Sequence, residues 1–392
     1  MMEWEIFEYR TKTVSAEIEA GKLKFVSSAL EHAFSARVIL RGRVGFASAS
    51  TKDEALSLAE KIARVSEDEL DDFPCEKPAR VKGIYDRRVE EVDSEFIMDE
   101  FERLMSSANR ATIAAARIEH AVGEVRITNS FGLESYERST FSSFMAEAVF
   151  QDGSGYEFCD SRSIELDIEW AVEEAERLAV DSAKAVKIES GIYDVILQPI
   201  AVHQLLSNTL YPSLSAENVD KGRSAVKLGD EFGNITLVDD PTVEGGLMSC
   251  GFDDEGVSAR KTVLIDNGVV KSYYTDWKHS KKYGVTGNGF RVDKSFPSPM
   301  VSNVVLKTER AGADDDCLVI HSLIGSHTAN PLSGEFSLEC NNAYLRGEAV
   351  KGAMIYGNVF DLLKKIQGGL GDVRQVENTI TGSLRFEGVR VI

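Results

Sequence analysis

The sequence predicts an α+β protein, with an N-terminal antiparallel sheet carrying helices on one face and a C-terminal, mostly β domain of sandwich or barrel-like form. Three observations predict it. Short β-like runs broken by glycine alternate with amphipathic stretches through the first half. A strand-strand-helix block occurs twice there. From Val219 onward, apolar alternation, closely spaced glycines and Asp/Asn turns run to the C-terminus, interrupted by one helix-like run, Val359–Ile366. The boundary falls near Ser190, giving domains 1–190 and 191–392.

Taken in order, Thr13–Ala49 is broken by Gly21, Gly42 and Gly45, with Arg37–Leu40 and Val44–Phe46 as hairpin strands. A helix follows, opened by a Thr51/Glu54 capping box and burying Ala55, Leu58, Ala59 and Ile62. Residues 67–92 form an acidic, proline-punctuated connection. A helix over about Ser94–Ser107 buries Phe101, Leu104 and Met105. Strands at about 111–120 and 122–129 pair through Gly123, and Asn129–Gly132 is a turn. The second block places strands at Phe144–Phe150 and Tyr156–Cys159, then a helix from near Ile168 carrying Trp170, Ala171, Ala175 and Leu178, with Phe158 equivalent to Phe46. Gly191–Gln198 reads as a strand, and Pro199 suits the first turn of a helix with Val202, Leu205, Leu206, Thr209 and Leu210 on one stripe.

Bulk properties exclude several functions. A chain of 392 residues with 43% hydrophobic and 28% charged residues can bury substantial cores. The net charge of -20, without a basic run, repels phosphate backbones and argues against direct nucleic-acid binding. Five cysteines, odd in number and without Cys-x-x-Cys spacing, predict reduced thiols in the cytoplasm. There is no apolar run long enough for a membrane span and no signal-peptide pattern at Met1–Glu5. Nucleophile elbows, P-loops and Rossmann glycine fingerprints are also missing.

The most distinctive stretch runs from Cys250 to Gly289: Cys-Gly-Phe-Asp-Asp-Glu-Gly256, Val263–Gly268, Tyr274-Thr-Asp276 and Gly287-Asn-Gly289. With Asn330-Pro-Leu-Ser-Gly-Glu-Phe-Ser337 and Gly357-Asn358 it resembles the C-terminal half of the TldD/PmbA family, the "modulator of DNA gyrase" proteins, and the likeness extends more weakly over most of the chain. In the TldD branch, the helix corresponding to about 199–210 carries an HExxxH zinc motif, and a cysteine near the C-terminus is the third ligand. Here that helix reads His203-Gln204-Leu-Leu-Ser-Asn208. Registered on the motif, Gln204 replaces the glutamate base and Asn208 the second histidine, and Glu377–Gly388 contains no cysteine. An amide is neither a base nor a usual zinc ligand. The chain therefore resembles the PmbA/TldE branch. That resemblance implies a catalytically silent subunit of a cytoplasmic metalloprotease acting on peptides or unfolded proteins, with zinc only in a TldD-like partner. One departure is that bacterial members begin with a helix, whereas this chain starts almost directly with Trp4–Thr13 as a strand.

The individual residues have modest expectations of their own. A lone His203 beside an apolar stripe is expected to be hydrogen-bonded and half-buried. Asp253, Asp254 and Glu255 could suggest a hard-cation site, but without completing ligands they read as a turn with Asx hydrogen bonds and paired charge, beside the Asn288 turn. His321 and His327, bracketing Gly325 in a loop, read as surface or hydrogen-bonded histidines. Asn330, Pro331 and Gly334 set a turn, or form a wall of a peptide cleft where an extended substrate could join a strand edge. Two other readings remain open: a stand-alone metallopeptidase using His203 with an Asp or Glu, and a homodimer that captures peptides or regulates another protein without chemistry.

Overall fold

The computed structural model describes residues 2–312 and 316–392. The N-terminal sheet has six antiparallel strands: β1 (Glu3–Glu19), β2 (Lys22–Leu40), β3 (Arg43–Ala49), β4 (Thr112–Asn129), β5 (Glu134–Phe150) and β6 (Gly153–Ser161). Their order, β3-β2-β1-β4-β5-β6, places two three-strand meanders back to back, with β1 and β4 paired along the seam. Helix α1 (Lys52–Ala63) covers the first meander. Between the meanders lie α2 (Arg87–Glu90) and α3 (Ser94–Ser107), and α4 (Ile168–Ala183) covers the second. The helices pack on one face, so the expected α+β layering is observed.

The duplication has a close-packing signature. A Cβ on Gly45 would lie 2.1 Å from the Ala59 carbonyl and 2.2 Å from Ala63 N, and one on Gly153 would lie 2.4 Å and 2.3 Å from Ala179 O and Ala183 N. Each strand thus touches helix backbone directly, which only glycine allows. This equivalence aligns Phe46 with Ser154, not with Phe158. It also explains why α1 buries Ala55, Ala59 and Ala63 while Leu58 and Ile62 point outward, contrary to the sequence expectation: a helix this close to its sheet has room for methyl groups only.

Other local expectations are corrected. Residues 112–129 form one strand, because Gly123 stays in the ladder between Thr11 and Ser139, and the chain reverses instead at Asn129, whose side chain accepts from Phe131 N and Leu133 N. Thr51 is the N-cap of α1 but makes no side-chain capping bond. Met105 and Trp170 are exposed and Phe101 is half-buried; Ile97 and Leu104 fill the core beneath α3. A short helix at Trp277–Tyr283, capped by Asp276, interrupts the mostly β region in addition to the helix-like run read at Val359–Ile366.

The C-terminal sheet contains a five-strand barrel. Strands Thr379–Val391, Gly191–Leu197, Leu318–Ile324, Glu335–Leu345 and Met354–Asn358 close on one another, and further strands continue the sheet. Helix α5 (Pro199–Asn208), begun by proline at its first turn, packs its Val202, Leu205 and Leu206 against this barrel. The helix-free face of the N-terminal sheet meets the C-terminal loops 246–260 and 288–302, so both candidate sites lie at or beside this junction. Among the described residues no helix is long and apolar enough to cross a membrane.

Candidate functional site

Helix α5 carries the residues in question. Its Gln204 is held at both ends of the amide: Oε1 accepts from Leu323 N at 2.6 Å, and Nε2 donates to the Tyr156 hydroxyl at 3.1 Å. Asn208 turns back onto the helix, donating to the Gln204 carbonyl. His203 is 7% exposed, more buried than its sequence context predicts, and is hydrogen-bonded as expected. Its Nδ1 pairs with Thr379 Oγ1 at 2.9 Å, where Tyr211 also bonds, and its Nε2 lies 3.4 Å from Glu377 Oε2. That contact holds the Glu377 carboxyl below its ordinary pKa.

Beside Tyr156, the buried Glu157 pairs with His321 at 3.2 Å and Arg374 at 2.8 Å. Burial pushes the Glu157 carboxyl up, but these two bonds outweigh it and hold the pKa below the ordinary value. His321 is buried in a strand, not a loop, and only His327 is exposed.

The acidic stretch has a different role. Asp253 accepts backbone N–H groups from Glu255, Val257 and Gly289. Glu255 accepts from Arg37 Nη1 at 2.5 Å and Trp277 N at 2.6 Å, and Asp254 accepts from Arg291 N at 2.8 Å. Arg37 in turn forms a two-point fork with Glu5, and Arg291 reaches the same carboxylate. Arg37, Glu5, Glu255 and Arg291 have side chains 1% exposed. Burial pushes Asp254 up to about 6 and Arg291 down to about 10. Asn288 donates to Asp239 and the Met300 carbonyl, with burial raising Asp239 to about 6. These residues form a clamp joining the N-terminal sheet to the C-terminal domain.

Comparison with known proteins covers nearly the whole chain. Residues 190–392 match the model of the PmbA/TldA metallopeptidase C-terminal domain, and residues 4–67 and 52–183 match domain 1 and the central domain of that family. The chain belongs to the PmbA/TldD family. It is 32% identical to the uncharacterised protein MJ0231 of Methanocaldococcus jannaschii, over 98% of this chain and 95% of that one. A metalloprotease of Methanothermobacter thermautotrophicus is 27% identical over 93% and 87% of the two chains. Two crystal structures share the fold. TM0727 of Thermotoga maritima, described as a candidate modulator of a DNA gyrase, superposes with a TM-score of 0.90 at 28% identity, covering 100% of this chain and 96% of that one. TldE of Thermococcus kodakarensis gives 0.89 at 25% identity, covering 99% and 96%.

Metallopeptidases of this kind need a metal-binding donor set, and the PmbA/TldD helix here does not supply one. His203 is the only imidazole on α5, Gln204 is engaged on both amide atoms, and Asn208 caps its own helix. Among the described residues no group of three or more His, Cys, Asp or Glu side chains could hold a metal. The residues present on α5 therefore do not fit zinc.

The Asn330–Ser337 loop is a turn of defined geometry. Asn330 Oδ1 accepts from Leu332 N and Ser333 N, Pro331 O accepts from Ser213, and Gly334 sits at φ 78° against Phe360. It borders a surface groove of 620 Å³ lined by Thr328, Asn330, Glu335, Ser337, Tyr356 and Asn358 among others. The structure thus separates the candidates: His203, Gln204 and Asn208 lie on α5, the acidic residues and Asn288 at the junction, and the Asn330 loop on the barrel. Sequence reading missed Glu5, Arg37, Glu157, Arg291 and Arg374. Single charges within strand-like runs were the available signal, since a buried charge demands a partner.

Proposed function

We propose that this chain is a non-catalytic, TldE-like subunit that pairs with a TldD-like metalloprotease subunit in the cytoplasm and helps enclose a peptide or unfolded segment. The observation that carries this reading is the use of Gln204. At the position where a catalytic member needs a free carboxylate as base, this chain has an amide fixed between Leu323 N and Tyr156, where it ties α5 to the barrel and the N-terminal sheet. The likeness to TldE of Thermococcus kodakarensis supports the same branch. Zinc would then belong to the partner. The groove beside Asn330 is the surface along which a peptide would lie, and the net charge of -20 makes any relation to DNA gyrase indirect.

The test is elemental mass spectrometry on tag-free protein purified without chelator, together with a peptide-cleavage assay with and without a TldD-like chain. Little bound zinc, no cleavage by the chain alone, and stable co-purification with the TldD-like chain are expected. About one tightly held zinc per chain, with cleavage abolished by chelator and by His203→Ala, would overturn the reading in favour of a stand-alone peptidase.

A further inference from the structure

Strand β2 runs from Lys22 to Leu40, but β3 pairs with it only from Phe34 to Leu40, which leaves Phe25–Ala33 as an edge with no strand opposite. The two-residue turn Arg41-Gly42 makes Leu40 and Arg43 a hydrogen-bonded pair, and Val44 N, turned away from β2, donates to Asp68 O at 2.8 Å. Alternation along the unbroken register with β1 then aims the N–H and C=O groups of Val26, Ser28, Leu30 and His32 outward. Among the described residues no strand or side chain bonds to these groups. Leu30 is 64% exposed there.

The other margins of the same sheet are covered. On β3, Gly42 O accepts from Leu70 N beside the Val44 contact, and on β5, beyond the reach of β6, Thr140 N donates to Ile84 O. On β6, Ser154 O accepts from Asn342 and Phe158 O from Arg374. An uncovered edge is a template for another strand, which sheets usually blunt with charge or proline. Phe25–Leu30 contains neither. The flanking charges are already paired, Lys24 with Glu19 at 2.9 Å and Glu31 with Lys294 at 2.8 Å. On the helix side the edge borders a cavity of 320 Å³ lined by Val14, Val26, Ser28, Val92, Lys12 and Ser94 among others. Lys12 is held there by the Glu90 and Val92 carbonyls, so the apolar wall comes from the three valines.

We propose that this edge captures an extended, uncharged peptide segment, which adds to the sheet antiparallel to β2 and continues the line that β3 leaves at Ala49. Its main chain bonds to Val26, Ser28, Leu30 and His32. Every second side chain faces Val26 and the cavity, where a small apolar group fits, and the others lie beside Ser27 and Ala29, where a small polar one does. A second copy of this chain fits less well. Its own turn at Ala20-Gly21 must stop short of Ala49, which limits regular pairing to Phe25–Ala29 before the extra residue Lys24 breaks the register. This surface is separate from the groove beside Asn330, and the inference is independent of the subunit reading above.

The probe is a fluorescein-labelled, end-capped peptide of eight residues alternating valine and serine, added to the full chain and followed by fluorescence anisotropy. Its control carries N-methyl groups on two adjacent central residues, which blocks both of its edges. Saturable binding of the probe is expected, roughly tenfold or more tighter than the control and weakened by a similar factor in Ser28→Pro and in Leu30→Pro. Each substitution removes an outward N–H that the folded chain does not use, and thermal melting reports whether the variant folds. Hydrogen exchange needs no variant: the peptide should slow exchange in the 25–33 segment. The proposal is overturned by absent binding, by equal binding of the control, by unchanged binding in both folded variants, or by protection that appears elsewhere and not in β2. Protection of β2 that grows with protein concentration alone would assign the edge to a second copy and overturn it equally.

Discussion

The two halves of the N-terminal sheet meet the C-terminal domain by different physics. Strands β1 and β2 dock through charge: Glu5 and Arg37 enter a dry ion-pair cluster with Glu255 and Arg291, whose guanidiniums also lie over phenylalanine rings. Strand β6 docks at two adjoining points, neutral hydrogen bonds at α5 where Tyr156 meets Gln204, and beside them the buried Glu157 paired with His321 and Arg374. The first contact is intolerant of losing one partner, because an unpaired charge remains buried. At Gln204 the second loses single neutral hydrogen bonds at smaller cost. Gln204 belongs to the neutral part of the second joint.

The sharpest way to break the comparison is at Arg37. Removing its guanidinium leaves Glu5 and Glu255 facing each other without their shared cation, and takes away its stacking over Phe73 and Phe296. Arg37→Ala should lower unfolding free energy by about 3–5 kcal/mol, measured by denaturant titration. A loss below about 1 kcal/mol would mean that the clamp does not hold the junction.

At α5 the expected effect is smaller. Gln204→Ala strands Leu323 N in a buried position and removes the Tyr156 contact, for about 1–3 kcal/mol. Gln204→Glu introduces a carboxylate that meets Leu323 N and Tyr156, with His203 still the one imidazole on α5 and His321 already paired with Glu157. Zinc content should remain unchanged in that variant. A rise to stoichiometric zinc would show that the site needs only the carboxylate.

This difference also sets what sequence could reveal. The layers and α5 were legible because helical apolar patterns and Pro199 are local signals, whereas the N-terminal strands were read as shorter runs than the structure forms. The contrast between His203-Gln204-Asn208 and a zinc helix was legible for the same reason. The clamp was not, since Glu5, Arg37, Glu255 and Arg291 are brought together from four distant segments. Asp253–Glu255 could be read as a satisfied turn, which it is, but not as half of a junction whose other half begins at Glu5. The Ala-only face of α1 was likewise hidden, because it follows from how closely Gly45 lets the helix backbone approach the sheet, which apolar periodicity does not record.

The finest contrast within the α5 joint is at His203. Thr379 keeps its bond to Tyr211 when the imidazole is removed, so His203→Ala should cost only about 1 kcal/mol at neutral pH. Its pH signature separates it from the clamp. Glu377 has a folded pKa depressed by His203, so its contribution is present above the unfolded value of 4.5 and is lost as pH falls through the folded one. Asp254 has the opposite sign. Its folded pKa of about 6 exceeds 3.8, so its contribution is present below 3.8 and is lost as pH rises through about 6. Thermal melts between pH 3.5 and 7.5 should therefore show His203→Ala converging on the parent protein toward the acid end, where the parent has lost the Glu377 contribution that the variant lacks throughout. Asp254→Asn should instead gain relative to the parent toward neutral pH. If the His203 variant diverges further as pH falls, the imidazole and Glu377 are not the coupled pair that the structure places at the end of α5.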